Sequence, residues 1–419
     1  MHGKTQLVSG LEYWSKSDKV RSGIFTLYIT MYQHFYSRFL AANQGKQHYA
    51  CHSHYYWPDV TREAMLQYWD DSAKHVDDKW QVFFSDVVPA LQASISDILG
   101  TDDPAQIVFA PNTHELVYRI LSCFDFGKPL TILSTDSEFH SFHRQANRLA
   151  EHEHVTLVST SSMPFATFTE RFIQQIRDTH PDVVFFSQVF FNSGFAVEDI
   201  QTIVDAIDNP NTIIVIDGYH SFMARPIDIS KMQSRVFFLA GGYKYAQAGE
   251  GVCFAHVPPG CTLRPAHTGW YAEFGALDKP RDGQVQYSQD GMRFAGATMD
   301  FSALYRLRAV FKLLEDNNIT VRDIHEHVSS LQRVFLEKLD ECGHPQLNRD
   351  NLLVKDTHNR GHFLTFQLPD ADTTAELAAW LRKQGIFTDY RGDRIRFGLG
   401  LYHTADSIDL TCLKQHAGV

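Results

Sequence analysis

Thr212-Ile-Ile-Val-Ile-Asp217-Gly-Tyr-His220 and, one apolar run later, Gly241-Gly-Tyr-Lys244-Tyr-Ala-Gln-Ala-Gly249-Glu-Gly251 are the stretches on which the reading of this chain turns. Each begins as, or directly follows, a short continuous apolar run of the kind that forms a buried strand, and each ends in polar chemistry. A lysine at the end of a buried strand with glycines on both sides is unusual, because burying an ammonium is costly unless it is paired or neutralised. Imine formation with a carbonyl ligand removes that charge. The glycines let backbone approach a ligand closely, and Asp217 can sit behind a pyridine ring as the carboxylate that keeps its nitrogen protonated. Taken singly, Asp217 reads as a turn cap and Lys244 as a solvated side chain. On consecutive strand ends, they read as one site.

Outward from these stretches, short apolar runs alternate with amphipathic ones from about residue 105 to 257, the signature of repeated βα units and a mostly parallel sheet. Strands are predicted at Ile107–Ala110, Leu130–Thr135, Val155–Thr160, Val183–Val189, Thr212–Asp217, Val236–Ala240 and Gly251–Val257. Helices are predicted at Phe168–Thr179 and Val197–Ile207, the second stopped by Asn209-Pro210-Asn211. Open sheets of this kind bind ligands at the carboxyl ends of their strands, which directs attention to the loops after residues 110, 135, 189, 217 and 240. Helical patterns from Met299 to about Glu315 and from Val321 to Cys342 come next. A strand at Phe363–Leu368, a helix at Thr373–Gln384 and a strand at Arg394–Leu399 then predict a smaller α+β unit. The expected division is a large domain over 46–300 and a small domain made of 1–45 and 301–419. The aromatic segment Phe25–Phe39 is predicted helical, joining the small domain or packing at a dimer face.

A chain of 419 residues is long enough for two units and for a buried cofactor. Its formal charge of −11 repels polyphosphate, so nucleic acid is not an expected partner. The six cysteines, at 51, 123, 253, 261, 342 and 412, lack the spacing of a disulfide framework or a zinc ribbon, so a reducing compartment is expected. Met1 to Gly10 lacks a signal-peptide pattern, and no continuous apolar run approaches the ~18 residues of a membrane helix. The expectation is a cytoplasmic protein with no membrane partner. His48, Cys51, His52 and His54 lie too close together for a zinc ligand set, and no metal is expected.

With these residues in view, the chain resembles the class V group of enzymes that use pyridoxal 5'-phosphate (PLP) on the aminotransferase fold, and within it most resembles kynureninase. The resemblance implies the PLP-dependent transferase fold of type I: an α/β protein with a large, mostly parallel seven-stranded sheet and a smaller α+β C-terminal domain. It covers most of residues 105–405. Asp217 and His220 match the family's Asp-x-x-His cofactor pair, and Tyr243-Lys244-Tyr245 with Ala248-Gly249 matches its lysine segment, in which Lys244 carries the cofactor as an imine and Tyr243 touches its phosphate. Phe185-Phe-Ser187-Gln-Val-Phe-Phe-Asn-Ser-Gly194 is similar to a strand whose serine contacts the cofactor. Asn112-Thr113, opening a helix, resembles the phosphate site, although Thr113 also reads as a plain N-cap. Ser137-Glu-Phe139-His-Ser141 matches the segment whose aromatic residue, here Phe139, stacks on the ring, with Ser141 beside it. Gly269-Trp270-Tyr271 resembles a segment whose indole reaches the phosphate. Arg293-Phe-Ala-Gly-Ala-Thr298 falls where the family lends a phosphate ligand across a dimer interface. Arg396, in Arg394-Ile-Arg396-Phe-Gly-Leu-Gly-Leu-Tyr402, matches the arginine that binds the substrate carboxylate through its planar fork.

The resemblance also implies a homodimer acting on an amino acid by hydrolytic Cβ–Cγ cleavage, with loss of the α-proton to Lys244 and acid–base help from Tyr243. Transamination and β-elimination share the first half of that chemistry and stay open, as does a PLP-binding protein without catalysis. The entry segment Tyr49-Ala-Cys51-His52-Ser53-His54-Tyr-Tyr-Trp57 departs from the Gly-Asn-Ser-Leu-Gly of kynureninases, which leaves the substrate unnamed.

Overall fold

Seven strands pair edge to edge, the interior ones too apolar on both faces to remain at a surface. In this computed structural model, which describes residues 32–276 and 283–416, they are β1 (Ile107–Ala110), β2 (Leu130–Thr135), β3 (Val155–Thr160), β4 (Val183–Ser187), β5 (Ile213–Asp217), β6 (Val236–Gly241) and β7 (Cys253–His256). Their order across the sheet is β1-β7-β6-β5-β4-β2-β3. All neighbours are parallel except β7, which runs antiparallel to both β6 and β1. The interior strands β4 and β6 are buried at every position, whereas the edge strand β3 exposes Thr156 and Ser159 and so presents polar side chains where the ladder ends.

Helical ends are set by caps as much as by periodicity. The helix expected at Val197–Ile207 is confined to Ile200–Asp205, because the Asp199 side chain accepts from Thr202 N at 3.2 Å and starts it there. Thr320 and Asp323 close a reciprocal capping box on Val321–Asp340. Two helices that periodicity did not reveal, Val60–His75 and Val88–Leu99, frame the first third of the chain. The first buries only Thr61 and Ala64 and leaves Trp69 exposed, so its sequence carries almost no apolar stripe. The helical run Val60–Leu99 holds an 18-residue window of mean hydropathy 1.3, enough by length and composition to cross a membrane. In this fold Phe83, Val87, Leu91, Ile95 and Leu99 of that run are buried in the core.

The second unit pairs Phe363–Gln367, Asp389–Arg391 and Arg394–Gly398 in an antiparallel sheet, covered by helices Val321–Asp340 and Ala371–Lys383. Leu331, Phe335, Leu381 and Phe397 belong to its core. Helix Ser302–Asp316, beyond the expected division at residue 300, places Leu304, Leu307 and Val310 in the large core instead. Part of the expected segment Phe25–Phe39, residues 25–31, lies outside the described residues. The rest is a 3-10 turn at Gln33–Tyr36 and a helix at Ser37–Ala42, and its Tyr36 is buried in the large core beside Tyr55 and Tyr402. Segment 47–57 runs between the units: Gln47–His48 pairs with Ile386–Phe387, and Trp57 lies on the lysine loop.

That loop is held from below. Arg306 donates to the carbonyls of Ala248, at 2.6 Å, and Glu250, and its guanidinium lies 5.1 Å from the Trp57 ring centroid. Gly249 has φ +70°, and a Cβ there would fall 2.2 Å from the Trp57 ring. Both the left-handed backbone and the absent side chain are therefore required. Gly249→Ala is expected to cost about 1–3 kcal/mol, read as a lowered Tm in thermal unfolding; an unchanged Tm would show that Trp57 is free to retreat.

Candidate active site

The five loops singled out from the sequence line one cavity of about 190 Å³ at the carboxyl edge of the sheet. Lys244 enters it from the loop after β6, with Nζ 2.5 Å from His220 Nε2 and 5.4 Å and 5.1 Å from the ring centroids of Phe139 and Tyr219. Burial lowers the pKa of the lysine, the field of Asp217 opposes that, and Arg396 adds to the lowering. Burial also raises that of Asp217, against a hydrogen bond from Tyr219 N, 2.9 Å from Oδ1, and the charge of Lys244. His220 is pushed well below its ordinary value by burial, then by Lys244 and Arg396. A neutral imidazole facing an amine that deprotonates readily is an arrangement for passing a proton between two nitrogens. The buried Nδ1 of His220 has no partner.

The glycines around Lys244 act differently from the sequence expectation. A Cβ on Gly241 would fall 2.3 Å from Cys253 Sγ, and one on Gly242 2.6 Å from Val252 Cγ1. They are small so that β6 and its loop can pack against the neighbouring antiparallel strand, not so that backbone can reach a ligand.

Across the cavity from the lysine, helix Thr113–Leu121 begins. Asn112 is its N-cap, accepting from Glu115 N at 2.9 Å, and Thr113 is its first residue. Both line the cavity with His114, so a helix N-terminus and a hydroxyl are available to an anion. Phe139, Ser141, Ser187, Asp217, Tyr243 and Lys244 line it too. A flat pyridine with an aldehyde and a phosphate arm fits this set: lysine for the aldehyde, Asp217 for the ring nitrogen, Phe139 for the ring face and the helix start for the phosphate. The unpartnered Nδ1 of His220 marks a polar contact still to be made.

Three of the residues singled out from the sequence stand apart. Trp270 Nε1 donates to Thr298 Oγ1 at 3.2 Å, and neither lines the cavity. Arg396 is buried outside the cavity lining, donating to the Phe191 carbonyl and to Asp389 while its Nε keeps no partner. The side chains of the histidine-rich entry segment diverge: His48 stacks on Tyr56 at 4.6 Å and His52 on Phe363 at 4.7 Å.

Sequence reasoning missed Tyr219, Phe191 and, above all, Glu138. Glu138 is buried behind Ser187, accepting from Thr135 Oγ1 at 2.6 Å, Ser187 N at 3.1 Å and Ser187 Oγ at 2.5 Å. Ser187 therefore offers the cavity lone pairs, having committed its proton to Glu138. Burial raises the Glu138 carboxyl to about 7, with Asp217 adding to the rise and the Ser187 and Thr135 bonds opposing it. A carboxylate one residue from an expected ring-stacking aromatic was the available signal.

A family model described as Aminotransferase class-V matches residues 57–409. No curated protein matches the chain. Among solved structures, a mutant of C-DES with glycine covalently linked to its PLP cofactor aligns at TM-score 0.77 and 15% identity, covering 92% of this chain and 98% of that one. The cystine C-S lyase C-DES with its reaction product, cysteine persulfide, aligns at 0.76 and 17%, covering 90% and 99%. The cysteine desulfurase CsdA of Escherichia coli aligns at 0.72 and 14%, covering 91% and 98%. At these identities the likeness is one of fold.

Because the folded pKa of Glu138 lies above its ordinary 4.5, the stability it contributes is full at acid pH and is lost as pH rises through about 7. Glu138→Gln is expected to match wild type near pH 5, where both side chains are neutral, and to become the more stable of the two, by on the order of 2 kcal/mol, by roughly pH 8. Thermal unfolding across that range reads it, and a constant gap between the two proteins would place the Glu138 titration elsewhere.

Proposed function

The chain belongs to the aminotransferase class-V family, and from that premise we propose that it acts on an amino acid, breaking the Cβ–Cγ bond in a kynureninase-like hydrolysis. It is a PLP-dependent enzyme of fold type I. The observation that carries the reading is the Lys244–His220 contact at 2.5 Å, set above Asp217 in a cavity that Tyr243 also lines.

Bound PLP supplies an aldehyde carbon that condenses with amines and a protonated pyridine that draws electrons from the substrate Cα. Lys244 would hold that aldehyde and serve as the base for the substrate α-proton. Burial lowers its pKa against the field of Asp217, so the amine gives up its proton readily, and His220 Nε2, 2.5 Å away, can share it. Asp217 would hold the pyridine nitrogen protonated, while Asn112, Thr113 and the helix start would hold the phosphate. Tyr243, its pKa raised by burial and by Glu250, keeps its O–H and donates it at the γ-carbonyl. The Arg396 fork is held by the Phe191 carbonyl and Asp389, so a substrate carboxylate reaches it only by displacing Asp389.

β-Elimination is the second reading, favoured by one observation: Asp217 is the only carboxylate lining this cavity among the described residues, so water activation rests on Tyr243 and the histidines. Transfer of sulfur to an enzyme thiol is not supported. All six cysteines are described and unpaired, none lines the cavity, and burial pushes the nearby Cys253 thiol up to about 12. Unpaired cysteines also support a cytoplasmic setting. A homodimer follows from the same reading, with Thr298 and the exposed Trp270 serving a partner's phosphate site; sedimentation of an active monomer at micromolar concentration would overturn it.

Holoprotein given kynurenine, 3-hydroxykynurenine and a panel of amino acids, with and without a keto acid, tests the reaction. Alanine from the γ-keto substrates supports hydrolysis, pyruvate moves the reading to elimination, and a new amino acid from the keto acid moves it to transamination. Borohydride reduction and peptide mapping should put the pyridoxyl group on Lys244, and Lys244→Ala should be colourless. Asp217→Asn should retain PLP but slow α-proton exchange on the order of 10²-fold; an unaltered exchange rate would take Asp217 out of the electron sink.

A further inference from the structure

A second cleft of about 450 Å³ opens beside the lysine cavity, between the loops after β2, β3 and β4 and the turn of the Asp389–Arg391/Arg394–Gly398 hairpin. Phe191 lines both spaces. Its ring stands 5.5 Å from those of Phe139 and His140 and forms the wall between them.

The charges along this cleft divide into those already answered and those that are not. Asp136 accepts from Ser137 Oγ at 3.0 Å, Ser161 Oγ at 2.9 Å and Ser162 N at 2.9 Å. Arg391 is paired to Asp389 at 3.2 Å. Arg394 has only neutral partners at long range: Gln367 Oε1 at 3.3 Å, the Asn192 carbonyl at 3.4 Å and Met163 Sδ at 3.8 Å. The Asp393 side chain has no hydrogen bond or ion pair among the described residues. One cation and one anion therefore face the same cleft unanswered, on consecutive residues of a tight turn whose Gly392 has φ +54°. They do not pair with each other: Arg394, in the strand, reaches Gln367, Asn192 and Met163, while Asp393 stands in the turn.

We infer that this cleft receives the far end of the substrate, and that this end is zwitterionic: a carboxylate for the Arg394 fork and an ammonium for Asp393. The substrate class is an amino acid whose side chain, passing Phe191, ends in a second amino-acid-like group. Guanidinium and carboxylate are each suited to a charge-assisted hydrogen bond with such an end-group, and a ligand with only one charge leaves the other residue unanswered. This inference rests on the amino-acid reading above, with the α-amine at Lys244.

Calorimetric titration of the holoprotein with a matched series separates the two. Norleucine has a neutral end, aminoadipate a carboxylate, lysine an ammonium, and diaminopimelate both. Diaminopimelate is expected to bind at least about tenfold tighter than norleucine, with the singly charged ligands between. Arg394→Gln should reduce its affinity to that of lysine and Asp393→Asn to that of aminoadipate, while norleucine binds both variants as it binds wild type. Binding of all four within about twofold, a singly charged ligand matching diaminopimelate, or variants that leave the order unchanged would each overturn the inference while leaving the amino-acid reading standing. If none of the four binds, the amino-acid reading fails and the inference with it.

Discussion

Lys244 is a charge-bearing side chain at the end of a buried strand, and much of the site answers the cost of putting it there. Water cannot solvate the ammonium, so the amine is driven toward its neutral form. Asp217 pulls the other way from the neighbouring strand end, and His220, itself neutral, offers Nε2 at 2.5 Å. Two aromatic rings close the sides. The result is an amine protonated or free at little cost, which a carbonyl-binding, proton-moving group requires.

The support for that arrangement is mostly backbone. Asp217 and Lys244 project from the ends of β5 and β6, which are held in register by the parallel ladder between them. Glycines at 241 and 242 let the lysine strand lie against its antiparallel neighbour, and Arg306 secures the loop by its carbonyls. Side chains that reach the cavity therefore rest on parts of the molecule that have few alternatives.

How far the sequence could be read follows from which forces are local. Most strands of the sheet were legible because they are short apolar runs, and β1, β2 and β3 have the bounds expected from the sequence. The five loops followed from strand direction alone. Helix Val60–His75 was not legible, because it exposes most of its length and carries no stripe. Glu138 was passed over because its meaning lies in contacts with Thr135 and Ser187, the latter on another strand. Arg396 was legible as a buried arginine, but not its closure by Asp389, which depends on the register of a hairpin. Long-range charge pairing leaves little trace in spacing.

Strand β7 is sandwiched between β6, which precedes it by a short loop, and β1, which lies far upstream. The helix start that can hold a phosphate follows β1, while the lysine precedes β7. These two ends of the cavity are thus brought together only when residues 253–256 slot in beside 107–110. Such long-range closure is slow and comes after local elements have formed. On a ribosome, a chain emerging N-terminus first exposes its amine while the cradle opposite is still unassembled. The phosphate cradle and the lysine thus become one site only when β7 has been made and has paired with β1.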